Sequence, residues 1–134
     1  MKVLAIDPGR EKCGLAVVAT TGETLWRRIV ATGEMQSVVP SLAEQHAITR
    51  IVLGDSTGSR QLLAQLDAWL PAVLVTVVNE SGSTLEARDL YWQEHPPQGW
   101  RRLTPRSLQV PPEPIDDFAA IVLARRYFAG ETSP

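Results

Sequence analysis

The chain has 134 residues, 44% of them hydrophobic and 21% charged, which is enough for one domain with a substantial core and too little for two. No apolar run approaches the roughly 18 residues that span a bilayer, and Met1 leads directly into a strand rather than a signal peptide, so we expect a cytoplasmic protein without a membrane partner. The net charge of -2 argues against a protein that merely coats nucleic acid.

The pattern of apolar runs and turns predicts an α/β domain covering residues 1–134. The predicted strands cover residues 2–7, 13–19, 24–31, 48–53 and 73–78. The predicted helices cover residues 37–46, 60–70, 84–93 and 115–128. Ser83 is expected to cap the third helix, with Glu86 completing a capping box. Six prolines in residues 95–114 predict an irregular loop, and residues 129–134 a short tail. Cys13, the single cysteine, is expected in the core.

Acids stand at the ends of three predicted elements. Asp7 ends the first strand, Glu80 follows the fifth, and Asp116 or Asp117 opens the last helix. Asp7 could simply cap its own turn, and acids in a first helical turn complement the helix dipole. Convergence of all three at one sheet edge would instead create a site of oxygen ligands suited to Mg²⁺ or Mn²⁺. Two such ions can activate water and stabilise the leaving oxygen of a phosphodiester.

Basic residues are distributed unevenly. Eleven of the thirteen are arginines, whose forked side chain suits phosphate. Residues 95–112 contain Arg101, Arg102 and Arg106 and no acid, which predicts a positive surface that would guide nucleic acid. A basic but merely solvated loop is the alternative.

Three segments, taken in order, resemble the motifs of a known family. They are Asp7-Pro8-Gly9 with Gly14-Leu15-Ala16, Asn79-Glu80 with residues 83–88, and Asp116 with residues 119–123. This ordered set is similar to the YqgF family, the Holliday-junction-resolvase-like proteins of the RuvC branch of the ribonuclease H-like superfamily. The resemblance runs nearly from end to end of the chain.

The resemblance implies a five-stranded mixed sheet flanked by helices, with a three-stranded antiparallel meander and two parallel strands. It implies a nuclease dependent on Mg²⁺ or Mn²⁺, with two ions, that matures the 5′ end of the small-subunit ribosomal RNA precursor or cuts branched DNA. By position it assigns Asp7, Glu80 and Asp116 as catalytic metal ligands, with Asp117 as a candidate additional acid. The residues expected to contact nucleic acid are Arg10, Thr57, Gly58, Ser59, Ser83, Arg88, Arg101, Arg102 and Arg106.

One departure from the family pattern leaves alternatives open. The family typically has an arginine after the second acid, where this chain has Ser81, so Arg10, Arg88 or Arg106 would have to supply a cation. This departure motivates a second hypothesis, a nucleic-acid-binding or ribosome-assembly factor with weak or no catalysis. A third is a nucleotide-binding fragment of the actin and sugar-kinase type, because the segment from Asp7 to Ala16 also resembles the phosphate loop of that fold. Its ligand lies between two domains, however, and this chain supplies one.

Aromatic residues near the predicted loop leave the oligomeric state open. Tyr91, Trp92 and Trp100 could stack on bases or form a homodimer contact. We expect Tyr91 in the core and Trp100 at the surface. The sequence also leaves open whether the substrate is RNA or DNA.

Overall fold

A mixed five-stranded sheet in the order β3-β2-β1-β4-β5 forms the centre of the fold. The computed structural model describes residues 1–56, 58–96, 99, 103 and 109–130. The strands are β1 (Lys2–Asp7), β2 (Lys12–Ala19), β3 (Thr24–Ala31), β4 (Arg50–Gly54) and β5 (Leu74–Val78). Strands β1, β2 and β3 form an antiparallel meander, and β4 and β5 run parallel to β1. The predicted sheet is confirmed.

Helices cover both faces of this sheet. They are α1 (Met35–Gln45), α2 (Ser59–Trp69), α3 (Ser83–Glu94) and α4 (Asp116–Phe128), with a 3₁₀ turn (Thr32–Glu34) before α1. On β1, Leu4 and Ile6 pack against α1 and α2, whereas Val3 and Ala5 pack against α3 and α4. The continuous apolar run of β1 therefore reflects burial on both faces.

Helix α4 is the most deeply buried helix, because it lies on β1 and β2 and is covered in turn by α3. Every residue from Asp117 to Ala124 is buried. Over these two turns the helix is therefore buried on all sides.

The expected capping box at the start of α3 is wrong. The helix begins at Ser83 with Gly82 as N-cap, whose φ of 75° is a left-handed conformation that glycine adopts without strain. Among the residues that the structure describes, no side chain caps the helix. Glu86 instead pairs with Arg126 of α4 at 2.8 Å. Glu86 therefore binds Arg126, which is distant in sequence, instead of the backbone at the start of its own helix.

The end of α3 is tied to the chain just before α4. The buried Trp92 donates its indole N–H to the carbonyl of Gln109 at 3.1 Å, and the Tyr91 hydroxyl donates to Glu113 at 3.0 Å. The predicted core position of Tyr91 is confirmed, as is that of Cys13. Trp100 lies outside the described residues. In the described parts of the chain, no helix has the length and apolar character needed to cross a membrane.

Candidate functional site

Asp7 lies at the carboxyl end of the central strand, between two residues that lack side chains. It pairs directly with Gly14 of β2, and the pairing of Ile6 with Leu53 places Gly54 beside it on β4. Residues paired in this way point to the same face of a sheet. Asp7 and the two glycines therefore form a shallow depression on the face covered by α3 and α4.

The carboxyl group of Glu80 lies over Gly54. A Cβ atom at position 54 would overlap the Oε1 atom of Glu80, so glycine is what leaves room for this acid. The backbone N–H of Glu80 donates to Oδ1 of Asp55 at 3.0 Å, which ties the acid to the end of β4. Its Oε1 atom is buried and accepts no hydrogen bond from an N–H or hydroxyl group of the residues that the structure describes.

Asp116 enters the depression from the opposite side, over Gly14. A Cβ atom at position 14 would overlap the carbonyl group of Asp116 and crowd the N–H of Asp117, so the first turn of α4 rests directly on β2. The Asp116 side chain is about one-third exposed, and Lys12 Nζ lies 3.5 Å from its Oδ2. Lys12 is two residues from Gly14 on β2 and so faces the same side of the sheet.

Burial and neighbouring acids raise the pKa of Asp7 to about 8. Burial is the largest cause, followed by a hydrogen bond with the carboxyl group of Glu80 and by the negative charges of Glu80 and Asp116. Without a cation, Asp7 therefore holds a proton near neutral pH. The charges of both Glu80 and Asp116 therefore reach the carboxyl group of Asp7.

Asp117 belongs to a different cluster. Its Oδ2 accepts from Arg27 Nη1 of β3 at 2.7 Å, and its Oδ1 accepts from the backbone N–H of Phe118. The same guanidinium lies 3.6 Å from Glu94 and stacks over the Phe118 ring at 4.3 Å. Adjacent residues of α4 thus have different surroundings, because Asp116 pairs with Lys12 and Asp117 pairs with Arg27.

Arg126 of α4 holds the turn that carries Glu80. Its Nη1 donates to the carbonyl of Asn79 at 2.8 Å, while its Nη2 pairs with Glu86. Within the turn, the Asn79 side chain accepts from the N–H of Ser81 at 2.7 Å. The position of Glu80 therefore depends on α4 as well as on β5.

The three acids satisfy some requirements of a divalent-metal site. Across the described part of the chain, no group of three His, Cys, Asp or Glu side chains has the spacing of a preformed metal site. The donor set is nevertheless all oxygen. The buried Oε1 atom of Glu80 accepts from no N–H or hydroxyl group of the described residues, and burial and the neighbouring acids raise the pKa of Asp7. A hard divalent cation would coordinate the Glu80 oxygen and favour the ionised form of the Asp7 carboxyl, so these residues fit Mg²⁺ or Mn²⁺.

The residues predicted to contact nucleic acid occupy varied positions. Arg10 is exposed in the turn after β1, Gly58 (φ 96°) precedes α2 at Ser59, and Arg88 is half-buried on α3. Ser83 is buried, so it is not at the surface where we expected it to contact nucleic acid. Four others lie outside the described residues: Thr57, Arg101, Arg102 and Arg106.

Several residues that shape the site carry no signal in the sequence pattern. Gly14 and Gly54 become informative only through strand register, and Arg126 looks like a cation that complements the dipole of its own helix. Lys12 is the cation found beside Asp116, whereas the sequence directs attention to arginines. Its position five residues after Asp7, across a tight turn, is the one available clue.

Comparison with solved structures identifies the fold. The chain is similar to RuvC of Thermus thermophilus, with a TM-score of 0.61, 18% identity and coverage of 100% of this chain and 99% of that one. A structure of T. thermophilus RuvC in complex with Holliday junction substrate gives 0.56, 21% identity and coverage of 97% and 94%. Fowlpox virus resolvase with substrate Holliday junction DNA gives 0.65, 10% identity and coverage of 97% and 98%. No protein-family model and no curated protein matches the chain. The chain has a ribonuclease H-like fold.

Proposed function

We propose that this protein is a divalent-metal-dependent nuclease and a divergent member of the YqgF family. The observation that supports the proposal is that Glu80, over Gly54, and the first turn of α4, over Gly14, flank Asp7 at the carboxyl end of β1, and that the charges of Glu80 and Asp116 act on the Asp7 carboxyl. The ribonuclease H-like fold, which the chain shares with resolvases, supports the same reading. Its substrates would be branched DNA or the 5′ end of the small-subunit ribosomal RNA precursor, and its location the cytoplasm.

Asp7, Glu80 and Asp116 would hold Mg²⁺ or Mn²⁺. When bound there, two such ions would activate a water molecule and stabilise the leaving oxygen of a phosphodiester. Asp7 would have to release its proton first, because its pKa is raised and a ligand carboxylate is ionised. Glu80 would contribute its buried Oε1 atom, to which no N–H or hydroxyl group in the described part of the chain donates.

Lys12 is our candidate for the cation that Ser81 does not supply. Its ammonium group is about half exposed and lies 3.5 Å from the Asp116 carboxylate, at the rim of the depression. A cation at this place can contact a substrate phosphate while still balancing the charge of the acids. Arg10, exposed in the neighbouring turn, would be a second phosphate contact.

A binding or assembly factor with weak or no catalysis is the second candidate. The replacement of the usual arginine by Ser81 favours it, because a cation near the scissile phosphate is then missing from its usual place. Such a protein would bind nucleic acid without any metal.

A cleavage assay separates the two candidates. Purified protein is incubated with labelled single-stranded RNA, single-stranded DNA and a four-way junction in Mn²⁺, in Mg²⁺ and in chelator, beside the Asp7→Asn variant. Metal-dependent cutting that the variant lacks supports the nuclease. Retained cutting by the variant contradicts the role of Asp7, and binding without any product favours the assembly factor.

A further inference from the structure

A cavity of about 500 Å³ opens at the same sheet edge as the acids, on the face that carries α1 and α2. One wall is the turn from Pro8 to Arg10, and the other is formed by Gly58 and the first two turns of α2. The volume lies within the range of small-ligand sites and exceeds what one nucleobase needs. Neither the three acids nor their supporting contacts use this cavity.

Helix α2 presents two amide side chains to the cavity. Gln61 and Gln65 are four residues apart and therefore neighbours on one helix face, with the buried Leu62 beside them as an apolar wall. Both glutamines are exposed, and in the described ranges neither amide has a hydrogen bond within the protein. Each side-chain amide has two N–H donors and one carbonyl acceptor, which match the mixed donor and acceptor pattern of a base edge.

Arg10 lies on the opposite wall. Its guanidinium is exposed and has no hydrogen bond or ion pair to any residue that the structure describes. Arginine stacks on unstacked bases and binds phosphate in a forked geometry. An apolar wall, two amides and one arginine thus surround a space of suitable size.

The placement of the cavity links it to the acid site. Pro8 directly follows Asp7, so the cavity wall begins one residue, about 3.8 Å along the chain, from the candidate metal ligand. If one phosphate of a nucleic-acid strand lay over Asp7, the next nucleotide of that strand would pass over the turn at Pro8. A paired and stacked base could not enter, because its hydrogen-bonding edge and its faces are occupied in the duplex.

We propose that this cavity binds an unpaired base that flanks the phosphate held at the acid site. The inference rests on the proposed function, since it takes the ligand to be a nucleic acid. It adds a substrate class: strands with an unstacked nucleotide beside the point of attack, such as single strands, junction centres and frayed ends.

The test is a ¹⁵N NMR titration of the full chain in chelator, where no cleavage occurs. The probes are the single-stranded deoxytrinucleotide TAT and the same trinucleotide with an abasic spacer in place of the adenine. Binding is expected to shift the side-chain amide signals of Gln61 and Gln65, while that of Gln45 on α1 serves as internal control. We expect the Kd to be about tenfold higher for the abasic probe, as two lost hydrogen bonds would give.

A double variant, Gln61→Leu with Gln65→Leu, keeps the side-chain bulk and removes both amides. It should bind TAT about as weakly as the wild type binds the abasic probe, whereas Gln45→Leu should change neither Kd. Equal binding of both probes by the wild type, signal shifts confined to the acid site, or no binding at all would overturn the proposal. If the wild type instead lacks metal-dependent cleavage while the base-dependent shifts persist, the nuclease proposal fails and the base site stands.

Discussion

Gly54 lies directly beneath the carboxyl group of Glu80, and even one methyl group at that position would overlap the Oε1 atom. The contact joins β4 to the turn after β5, so the acid depends on a residue that itself has no functional group. Gly14 has the same relationship to Asp116, with one difference: the atoms that it accommodates belong to the backbone.

Replacing Gly54 with alanine should damage function more than stability. The atoms that would meet the new methyl group belong to the Glu80 side chain, which can rotate away at a cost of about 1 kcal/mol. The displaced carboxylate would no longer face Asp7, so we expect at least a tenfold loss of Mn²⁺-dependent cleavage. Gly33→Ala is the matched control, because position 33 faces open space. Full activity in Gly54→Ala would show that the position of Glu80 is unimportant.

Replacing Gly14 with alanine should instead unfold or loosen the protein. The methyl group would meet the carbonyl of Asp116 and the N–H of Asp117, and backbone in the first turn of a buried helix cannot rotate away. Overpacking of this kind costs about 3 kcal/mol, to be measured by urea denaturation. A loss below about 1 kcal/mol would mean that α4 does not rest on β2 as described.

Neutralising Asp116 and Asp117 separately should give opposite results. Asp117→Asn weakens a 2.7 Å contact between charged groups of which the acid is buried, so the free energy of unfolding should fall by about 2 kcal/mol. Asp116→Asn loses only a partly exposed ion pair, worth about 0.5 kcal/mol, but should abolish metal-dependent cleavage. Denaturation curves and cleavage rates of the two variants test this. Normal activity of Asp116→Asn would remove it from the proposed centre.

The raised pKa of Asp7 predicts how stability depends on pH. Between the ordinary pKa of 3.8 and about 8, the folded state keeps a proton that the unfolded state releases, so metal-free stability should fall as the pH rises through this window. Asp7→Asn removes this titration and should make the metal-free protein more stable than wild type above about pH 8. Asp67→Asn, an exposed acid on α2, serves as control. Identical pH profiles of the wild type and Asp7→Asn would contradict the perturbed pKa.

The strands and most helix positions follow from local sequence, because buried parallel strands read as apolar runs and helices show their period. The start of α3 does not follow from local sequence, because Glu86 pairs with Arg126, 40 residues away, instead of capping its own helix. The partner of Asp117 is likewise not visible in local sequence, since it is Arg27, 90 residues before it. The sequence is sufficient to propose the acids as a site, but only the register of the sheet reveals why Gly14 and Gly54 are glycines and how they leave space for Glu80 and the backbone of Asp116.

The central claim is that Asp7, Glu80 and Asp116 form one metal-binding centre, and paramagnetic Mn²⁺ tests it most directly. Traces of Mn²⁺ added to the ¹⁵N-labelled protein broaden the amide signals near any bound ion. We predict selective broadening around Asp7, Gly14, Gly54, Glu80 and Asp116 that disappears in Asp7→Asn and persists in Asp117→Asn. Broadening centred elsewhere, or unchanged in Asp7→Asn, would contradict the account.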